Sequence, residues 1–272
     1  MENKGSPETL RETTFFQFEE FYQQNTFPRQ PKHFYEWFLG FAEGDGSFLI
    51  SITKDTRQPT AKAKPRAFFM LVQKDPVVLY TIKKKFGFGS VQKHNEAFRW
   101  SVTKTEHLYL ICLLAKDNML LAHRQKQLKY WCEHFKLQQT IKAGYPNLLS
   151  TAWLAGFIDA EGCFSILSCK DKRYKSGFRV RYRFVLDQKE GLSLLKHLQV
   201  TLRSGWIYHR KETEAVYRYE TTAKGSHRNL LLPYLNRFPC LTKKHVLVFK
   251  WYKDLVLNNK KKLKIKSSPL RK

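Results

Sequence analysis

The amino-acid sequence predicts an α+β fold made of two pseudo-symmetric halves, each of order α-β-β-α-β-β-α. The first observation is an internal repeat, because residues 38–48 and 154–164 are both apolar helical segments that end in an acid followed by glycine. The second is that alternating and amphipathic segments follow each copy in the same order. Self-similarity over a long period determines architecture, so we expect one unit repeated twice within one chain.

The composition narrows the class of protein. The 272 residues are 42% hydrophobic, which excludes a disordered chain, and the net charge of +26 predicts a polyanionic partner, with nucleic acid favoured. No apolar stretch reaches the roughly 18 residues that span a bilayer, so no membrane partner is expected. The five cysteines are scattered without a C-x-x-C pair, which indicates neither zinc nor disulfides.

The first half contains the predicted elements in the following order. They are a helix ending at Asp45, strands at 47–53 and 66–74, a helix at 76–86, strands at 89–94 and 98–103, and a helix over 106–135 that is broken once. The strands are predicted from apolar–polar alternation, and the third begins at a glycine.

The second half repeats this order. It has a helix ending at Glu161, strands at 163–167 and 179–189, a helix at 191–202, strands at 205–210 and 217–222, and a broken helix over 228–257. The expected segments of the whole chain are an N-terminal arm (1–30) with a short docking helix at 15–22, a first half (31–135), a linker (136–150), a second half (151–257) and a disordered basic tail (258–272).

The repeated helices are expected to pack against each other. Gly40 and Gly44 lie four residues apart, as do Gly156 and Ala160, so each helix carries a stripe of small residues on one face. Two backbones can approach closely along such stripes, around a pseudo-twofold axis. We therefore expect curved antiparallel sheets on either side of a central helix pair.

This packing places two acids, Asp45 and Glu161, side by side at two helix C-termini. Both the helix dipole and mutual repulsion disfavour that arrangement, and a divalent cation relieves both. Gly46 and Gly162 are expected to adopt the left-handed turn that ends a helix. The acids two residues earlier, Glu43 and Asp159, point to another face and are expected to make polar contacts at the helix ends.

Residues 154–162 resemble the LAGLIDADG motif of homing endonucleases, from which they differ only at Phe157 and Glu161. The first copy is looser but keeps Gly40, Asp45 and Gly46. Together with the order of elements, the resemblance covers about residues 33–257 and indicates the single-chain branch with two motifs. It implies a sequence-specific endonuclease that hydrolyses one phosphodiester per strand of a long duplex site and leaves 3′ overhangs.

The resemblance also implies the site residues. The metal site comprises Asp45 and Glu161 with the adjacent Gly44 and Ala160; Mg²⁺ is the expected metal, with Ca²⁺ supporting binding without cleavage. Gln73 and Gln188 match the glutamines that hold catalytic water. Arg124 and Lys244, with Lys243 as an alternative, match the basic residues that support the transition-state charge, although each is also compatible with phosphate-binding surface charge.

Strand alternation assigns a set of exposed residues to a predicted DNA-binding face. In the first half they are Ser47, Leu49, Ser51, Thr53, Lys64, Arg66, Phe68, Met70, Ser90, Gln92, His94, Arg99 and Ser101; in the second half they are Ser165, Leu167, Arg179, Arg181, Arg183, Trp206, Tyr208, Arg210, Arg218 and Glu220. Val180, Tyr182 and Phe184 alternate with the arginines and are assigned to the core face, as are Trp100 and Tyr219. The two sets differ, so the expected target is asymmetric.

Two other functions share the fold. An intron RNA maturase has the same folded charge, but both acids are present here, which favours cleavage; a cleavage-inactive DNA-binding regulator is disfavoured because both glutamines remain. The expected partner is double-stranded DNA, with intron RNA as an alternative, and the chain is expected to act as a monomer. An organellar location, encoded in chloroplast or mitochondrial DNA, would agree with the absence of an import signal.

Overall fold

The computed structural model describes residues 15–53, 64–174, 177–211 and 213–257. The predicted basic tail and the first 14 residues of the arm lie outside these ranges. The first half contains α1 (Phe16–Gln23), α2 (Lys32–Asp45), β1 (Gly46–Thr53), β2 (Lys64–Gln73), α3 (Val77–Phe86), β3 (Ser90–His94), β4 (Ala97–Val102), α4 (Thr105–Ala115) and α5 (Ala122–Phe135).

The second half repeats this order, and its described residues contain no equivalent of α1. It contains α6 (Trp153–Glu161), β5 (Gly162–Lys170), β6 (Phe178–Lys189), α7 (Leu192–Leu202), β7 (Trp206–His209) and β8 (Val216–Thr221). The last helical region comprises α8 (Lys224–Ser226), a π-helical segment (His227–Leu231), α9 (Leu232–Arg237), α10 (Lys244–Tyr252) and a second π-helical segment (Lys253–Leu257). Both closing helices are interrupted, as predicted, over residues 116–121 and 238–243.

Each half contains one four-stranded antiparallel sheet. The strand orders are β1-β2-β4-β3 and β5-β6-β8-β7, and the two registers correspond position by position. Gly46 pairs with Leu71 as Gly162 pairs with Leu186, so positions on the two sheets can be compared directly. The α+β class and the pseudo-symmetric arrangement predicted from the repeat are confirmed.

Helices α2 and α6 pack against each other through their small residues. A Cβ atom added to Gly40 would lie 1.8 Å from the backbone oxygen of Trp153, and one added to Gly156 would lie 1.8 Å from that of Trp37. No side chain fits into that space, so the two glycines permit backbone contact across the pseudo-twofold axis. This contact places the C-terminal ends of the two motif helices together.

The predicted left-handed turns after the motif helices are wrong. Gly46 has φ −73° and ψ 145°, and Gly162 has φ −74° and ψ 144°, so both continue directly into strands in extended conformation. The space around them explains the glycines instead. A Cβ atom at Gly46 would lie 2.4 Å from the oxygen of Ala42, and one at Gly162 would lie 2.7 Å from that of Ile158.

Aromatic side chains fill the core beneath the sheets. Trp100 and Tyr219 are fully buried, as alternation predicted, and Trp131 and Trp251 of the closing helices are buried with them. The predicted arm helix docks on this core, since the ring of Phe18 lies 4.8 Å from that of Tyr35. Within the described ranges, no helix is long and apolar enough to cross a membrane.

Candidate active site

The two motif acids lie at the junction of the halves. Asp45 and Glu161 are the last residues of α2 and α6, and both are partly buried. Glu161 reaches across the axis, because its Oε1 atom lies 3.3 Å from where a Cβ atom on Gly44 would stand. The small residue at position 44 therefore leaves room for the longer acid of the opposite helix.

Burial makes both carboxylates reluctant to ionise. It raises the pKa of Asp45 to about 6. Burial and repulsion from Asp45 together raise the pKa of Glu161 to about 7. Arg124 and Lys244 act against these shifts because their positive charges favour the ionised acids. Burial outweighs these two cations, so the pKa of both carboxyls remains raised.

The two predicted basic residues occupy equivalent positions at the ends of the motif helices. Arg124 donates from Nε to the oxygen of Glu43 at 2.8 Å and from Nη2 to that of Gly44 at 2.7 Å. Lys244 donates from Nζ to three carbonyl oxygens of α6, those of Ile158, Asp159 and Ala160, at 3.0, 2.7 and 3.1 Å. Cations at helix C-termini are favourable, so each half satisfies its own motif helix.

The sequence offered Lys244 or Lys243 as the basic site residue of the second half, and Lys244 is the one that contacts the motif helix. The Lys243 side chain is 82% exposed and its Nζ atom pairs with Asp75 at 3.3 Å. The carbonyl oxygens of Gly44 and Ala160, which belong to the predicted metal site, already accept hydrogen bonds from Arg124 and Lys244.

The acids two residues earlier make structural contacts, as expected. The carboxylate of Glu43 accepts hydrogen bonds from the backbone N–H groups of Leu120 and Leu121, at 2.9 and 2.7 Å, at the start of α5. Asp159 accepts from the backbone N–H of Leu241 at 2.6 Å and, across the axis, from the indole of Trp37 at 2.9 Å. Each of these acids ties a motif helix to its closing helix.

The two predicted glutamines differ in their surroundings. They occupy equivalent positions, two residues beyond the strand residues that pair with Gly46 and Gly162. The amide of Gln73 donates to Oδ2 of Asp45. Gln188 instead donates weakly to the oxygen of Lys189 at 3.4 Å, and its buried Oε1 atom has no hydrogen-bond partner among the described residues. A buried oxygen of this kind is suited to a water molecule.

A cleft opens beside the second acid. Its volume is about 480 Å³, and its lining includes Arg124, Glu161 and Gln188 together with two residues that the sequence did not single out, His123 and Asp187. Asp187 could have been found from strand parity, since it continues the alternating series of Arg179, Arg181 and Arg183.

The two carboxylates fit a divalent cation whose remaining coordination positions are filled by a substrate and water. Among the described residues, no group of three or more His, Cys, Asp and Glu side chains could hold a metal. The site offers two oxygen ligands from Asp45 and Glu161, close enough for their charges to repel. Mg²⁺ is typically bound by one or two carboxylates with waters and substrate phosphates, and this arrangement matches that pattern.

In the first sheet, the strand register brings the residues of the predicted DNA-binding face next to one another. Ser47 pairs with Met70, Leu49 with Phe68 and Ser51 with Arg66. Pairing continues from Met70 to Ser101, and from there to Ser90, while Arg99 pairs with Gln92 and His94 lies opposite Ala97. Thr53 pairs with Lys64 through the backbone, and its side chain is outside what the structure describes. Val72, opposite Arg99, joins this face.

In the second sheet, the register also brings the predicted DNA-binding residues together, with two exceptions. Between β5 and β6, Ser165 pairs with Arg183 and Leu167 with Arg181, and Arg179 lies opposite Cys169. On β8, Arg218 pairs with both Asp187 and Tyr208, and Glu220 pairs with Trp206; Arg210 directly follows β7. Glu220, expected to be exposed, is buried because Arg183 and Tyr208 cover its carboxylate. Val180, expected in the core, is 37% exposed because it lies near the outer end of its strand.

The sequence matches the model of the LAGLIDADG endonuclease family twice, over residues 38–135 and 154–255. It is 31% identical over 234 residues to "Probable intron-encoded endonuclease 4" of Neurospora crassa, covering 82% of this chain and 40% of that protein. It is 27% identical to the "Uncharacterized cox1 intron-2 37.2 kDa protein" of Schizosaccharomyces pombe, covering 94% and 76%. The chain therefore spans well under half of the first relative.

Solved structures share the fold. One is I-SmaMI bound to an uncleaved DNA target with calcium ions, with a TM-score of 0.65, 18% identity, and coverage of 84% of this chain and 92% of that one. Another is the LAGLIDADG meganuclease I-AabMI bound to uncleaved DNA, with a TM-score of 0.66, 20% identity, and coverage of 83% and 92%.

Proposed function

Since this chain belongs to the LAGLIDADG endonuclease family, we propose that it is a site-specific DNA endonuclease that hydrolyses one phosphodiester in each strand of a duplex and leaves 3′ overhangs. One observation carries the proposal: each half contributes an acid, a glutamine and a cation to the same junction. Two related sets of groups suit a substrate with two related strands. A single chain completes both sets, which supports a monomer.

Asp45 and Glu161 are the residues that would hold divalent metal, for which we propose Mg²⁺. When bound, such cations lower the pKa of an attacking water and stabilise the leaving oxygen. The chain's own residues prepare this chemistry. Gln73 orients Asp45 by hydrogen bonding. For Gln188 we propose that its unpaired Oε1 atom accepts a hydrogen bond from a water molecule of the site.

The basic residues act mainly through their charge. An ammonium group has three N–H donors, and Lys244 uses all three on carbonyl oxygens of α6. It can stabilise a developing negative charge only through its field. Arg124 donates from Nε, Nη1 and Nη2, which leaves two of its five N–H groups available to a phosphate.

The exposed faces of the two sheets support recognition of a long, asymmetric duplex. One face carries Lys64, Arg66 and Arg99 among mostly uncharged residues, whereas the other carries five arginines with two acids. Arginine suits guanine edges in the major groove, and the excess of basic residues suits phosphates. The names of two fungal relatives support an intron-borne gene, and that of a further relative from Saccharomyces cerevisiae, a mitochondrial protein, supports an organellar one.

The test is to select cleaved duplexes from a randomised library with Mg²⁺, and then to compare wild type with Glu161→Gln. We expect the variant to bind the selected duplex with Ca²⁺ nearly as tightly as wild type and to lose strand cutting in Mg²⁺. Glu133→Gln, an exposed carboxylate on α5, is the matched control and should cut normally. Undiminished cutting by Glu161→Gln would refute the assigned role, and absence of any selected sequence would refute the function.

A further inference from the structure

Two acids stand on the basic face of the second sheet, where they bind its arginines. Asp187 accepts from Nε of Arg218 at 2.6 Å and from Nη2 at 2.7 Å, which is a bidentate pair. Its Oδ2 atom also accepts from Nη1 of Arg210 at 3.0 Å. One carboxylate thus holds two guanidinium groups that belong to neighbouring parts of the sheet.

The second acid, Glu220, forms a similar cluster two residues beyond Arg218 on β8. Oε2 of Glu220 accepts from Nη2 of Arg183 at 2.6 Å and from the hydroxyl of Tyr208 at 3.1 Å. These contacts bury the carboxylate of Glu220. Three of the five arginines on this face are therefore fixed by acids, and in the described part of the sheet Arg179 and Arg181 carry no such pairing.

In its described part, the first sheet has no counterpart to these acids. Val72 pairs with Arg99 in the register where Asp187 pairs with Arg218, and Ser101 occupies the position of Glu220. Among the described residues, no acid pairs with the side chain of Arg99, and its buried Nε atom has no hydrogen-bond partner there. The difference is built into equivalent positions of the two sheets.

The pairing of Arg218 with Asp187 leaves N–H donors of the guanidinium for a base. A guanidinium has five N–H donors in a rigid fork, and Asp187 uses the side formed by Nε and Nη2. The Tyr208 side chain hydrogen-bonds the same guanidinium. Two of the five N–H groups then remain, which is the number that donates to O6 and N7 of a guanine. The acid therefore fixes the arginine and still leaves it two N–H donors with which to read a base.

We propose that Asp187 and Glu220 are positioning residues that make the second half-site the more stringently read one, an inference that rests on the proposed DNA-endonuclease function. They hold Arg218, Arg210 and Arg183 in the orientation for base contact before DNA arrives. They also place negative charge on a face that meets phosphates. Their effect is to lower general affinity for DNA while raising discrimination between bases.

The opposed directions of these two effects separate positioning from a merely structural role. Asp187→Asn keeps the size of the side chain and removes its charge. We expect this variant to bind random duplex several-fold more tightly and to lose about tenfold of base discrimination at one or two positions of the second half-site, the scale of one bidentate arginine contact. A folding defect would instead lower both the affinity for random duplex and the discrimination between bases.

Val72→Asp is the reciprocal experiment, since it places an acid opposite Arg99. Val72 is 40% exposed, so the change requires no burial of charge. We expect weaker binding to random duplex and a new base preference at the matching position of the first half-site. Glu133→Gln, with the same change of charge as Asp187→Asn, controls for net charge and should leave the preference profile unchanged.

The measurement is the dissociation constant, with Ca²⁺, for every single-base variant of the selected duplex and for a random duplex. The inference is overturned if Asp187→Asn keeps the wild-type preference within twofold, if it loses preference equally in both half-sites, or if Val72→Asp changes no preference. Equal binding of wild type to selected and random duplex would overturn the proposed function instead, before any variant is compared.

Discussion

Replacing Glu161 with glutamine should stabilise the metal-free protein while removing its proposed activity. The pKa of this carboxyl is raised from 4.5 to about 7 by burial and by Asp45. The folded chain therefore binds the proton more tightly than the unfolded chain does. Stability is full at low pH, where both states are protonated, and it decreases as the pH rises toward 7 because the folded state must then carry a buried charge.

The size of the effect follows from the shift. A rise from 4.5 to about 7 corresponds to roughly 3 kcal/mol at pH 8, which is an upper value because the side chain lines an open cleft. For a chain of this size that is a shift of roughly 6–12 °C in melting temperature. The difference between Glu161→Gln and wild type should vanish near pH 4.

Thermal unfolding between pH 4 and 8.5 in the presence of a chelator measures this difference, with Glu133→Gln as the control for loss of an exposed carboxylate. Millimolar Ca²⁺ should raise the melting temperature of wild type at pH 8, since a ligand of the folded state stabilises it. It should act less on Glu161→Gln. A variant no more stable than wild type at pH 8, or a gain that does not change with pH, would refute the reasoning.

Four further outcomes are expected. Gly156→Ala, whose Cβ atom would stand 1.8 Å from the oxygen of Trp37, should destabilise the protein in urea unfolding by more than the roughly 1–3 kcal/mol of ordinary overpacking, whereas Gly225→Ala, with open space around it, should not. Lys244→Met should cost roughly 1–3 kcal/mol in the same assay, because three carbonyl oxygens of α6 lose their donor. Carboxylates must be ionised to bind metal. The apparent Mg²⁺ affinity in cleavage assays should therefore fall about tenfold per pH unit below the pKa of Glu161, about 7, and more steeply below the pKa of Asp45, about 6. An unchanged affinity at pH 5.5 would contradict this. DNA binding should weaken steeply with salt, and a nearly flat log–log plot of the dissociation constant would argue against many phosphate contacts.

The fold was predictable because its signals are local and occur twice. Alternation in the strands assigned Trp100 and Tyr219 to the core, and both are buried. The spacing of small residues at Gly40 and Gly156 predicted close helix packing, which the structure confirms. The division of the chain into arm, halves, linker and tail, and the roles of individual site residues, stay predictions.

The structure departs from the predictions where one local sequence pattern is compatible with two structures. A glycine after a helix can adopt a left-handed turn, but Gly46 and Gly162 instead allow a strand to leave close to the preceding helical turn. Gln73 and Gln188 have equivalent positions in the sequence, yet only the first bonds to a motif acid. That difference depends on how Asp45 and Glu161 are packed in three dimensions.

Charge pairing across strands was the other feature beyond sequence reasoning. Asp187 and Glu220 stand in the alternating series of two different strands, and only the register brings each to its arginine. A row of basic residues indicated a nucleic-acid face. The register adds that part of this face is neutralised and fixed by its own acids.

The central claim is that two motif helices deliver Asp45 and Glu161 to one metal pocket at the junction of the halves. Anomalous diffraction from crystals of the protein with its selected duplex and Mn²⁺ tests it most directly. We predict manganese peaks in contact with both carboxylates and with the phosphates of the two strands. Peaks that contact neither acid, or acids that face away from the DNA backbone, would contradict the claim.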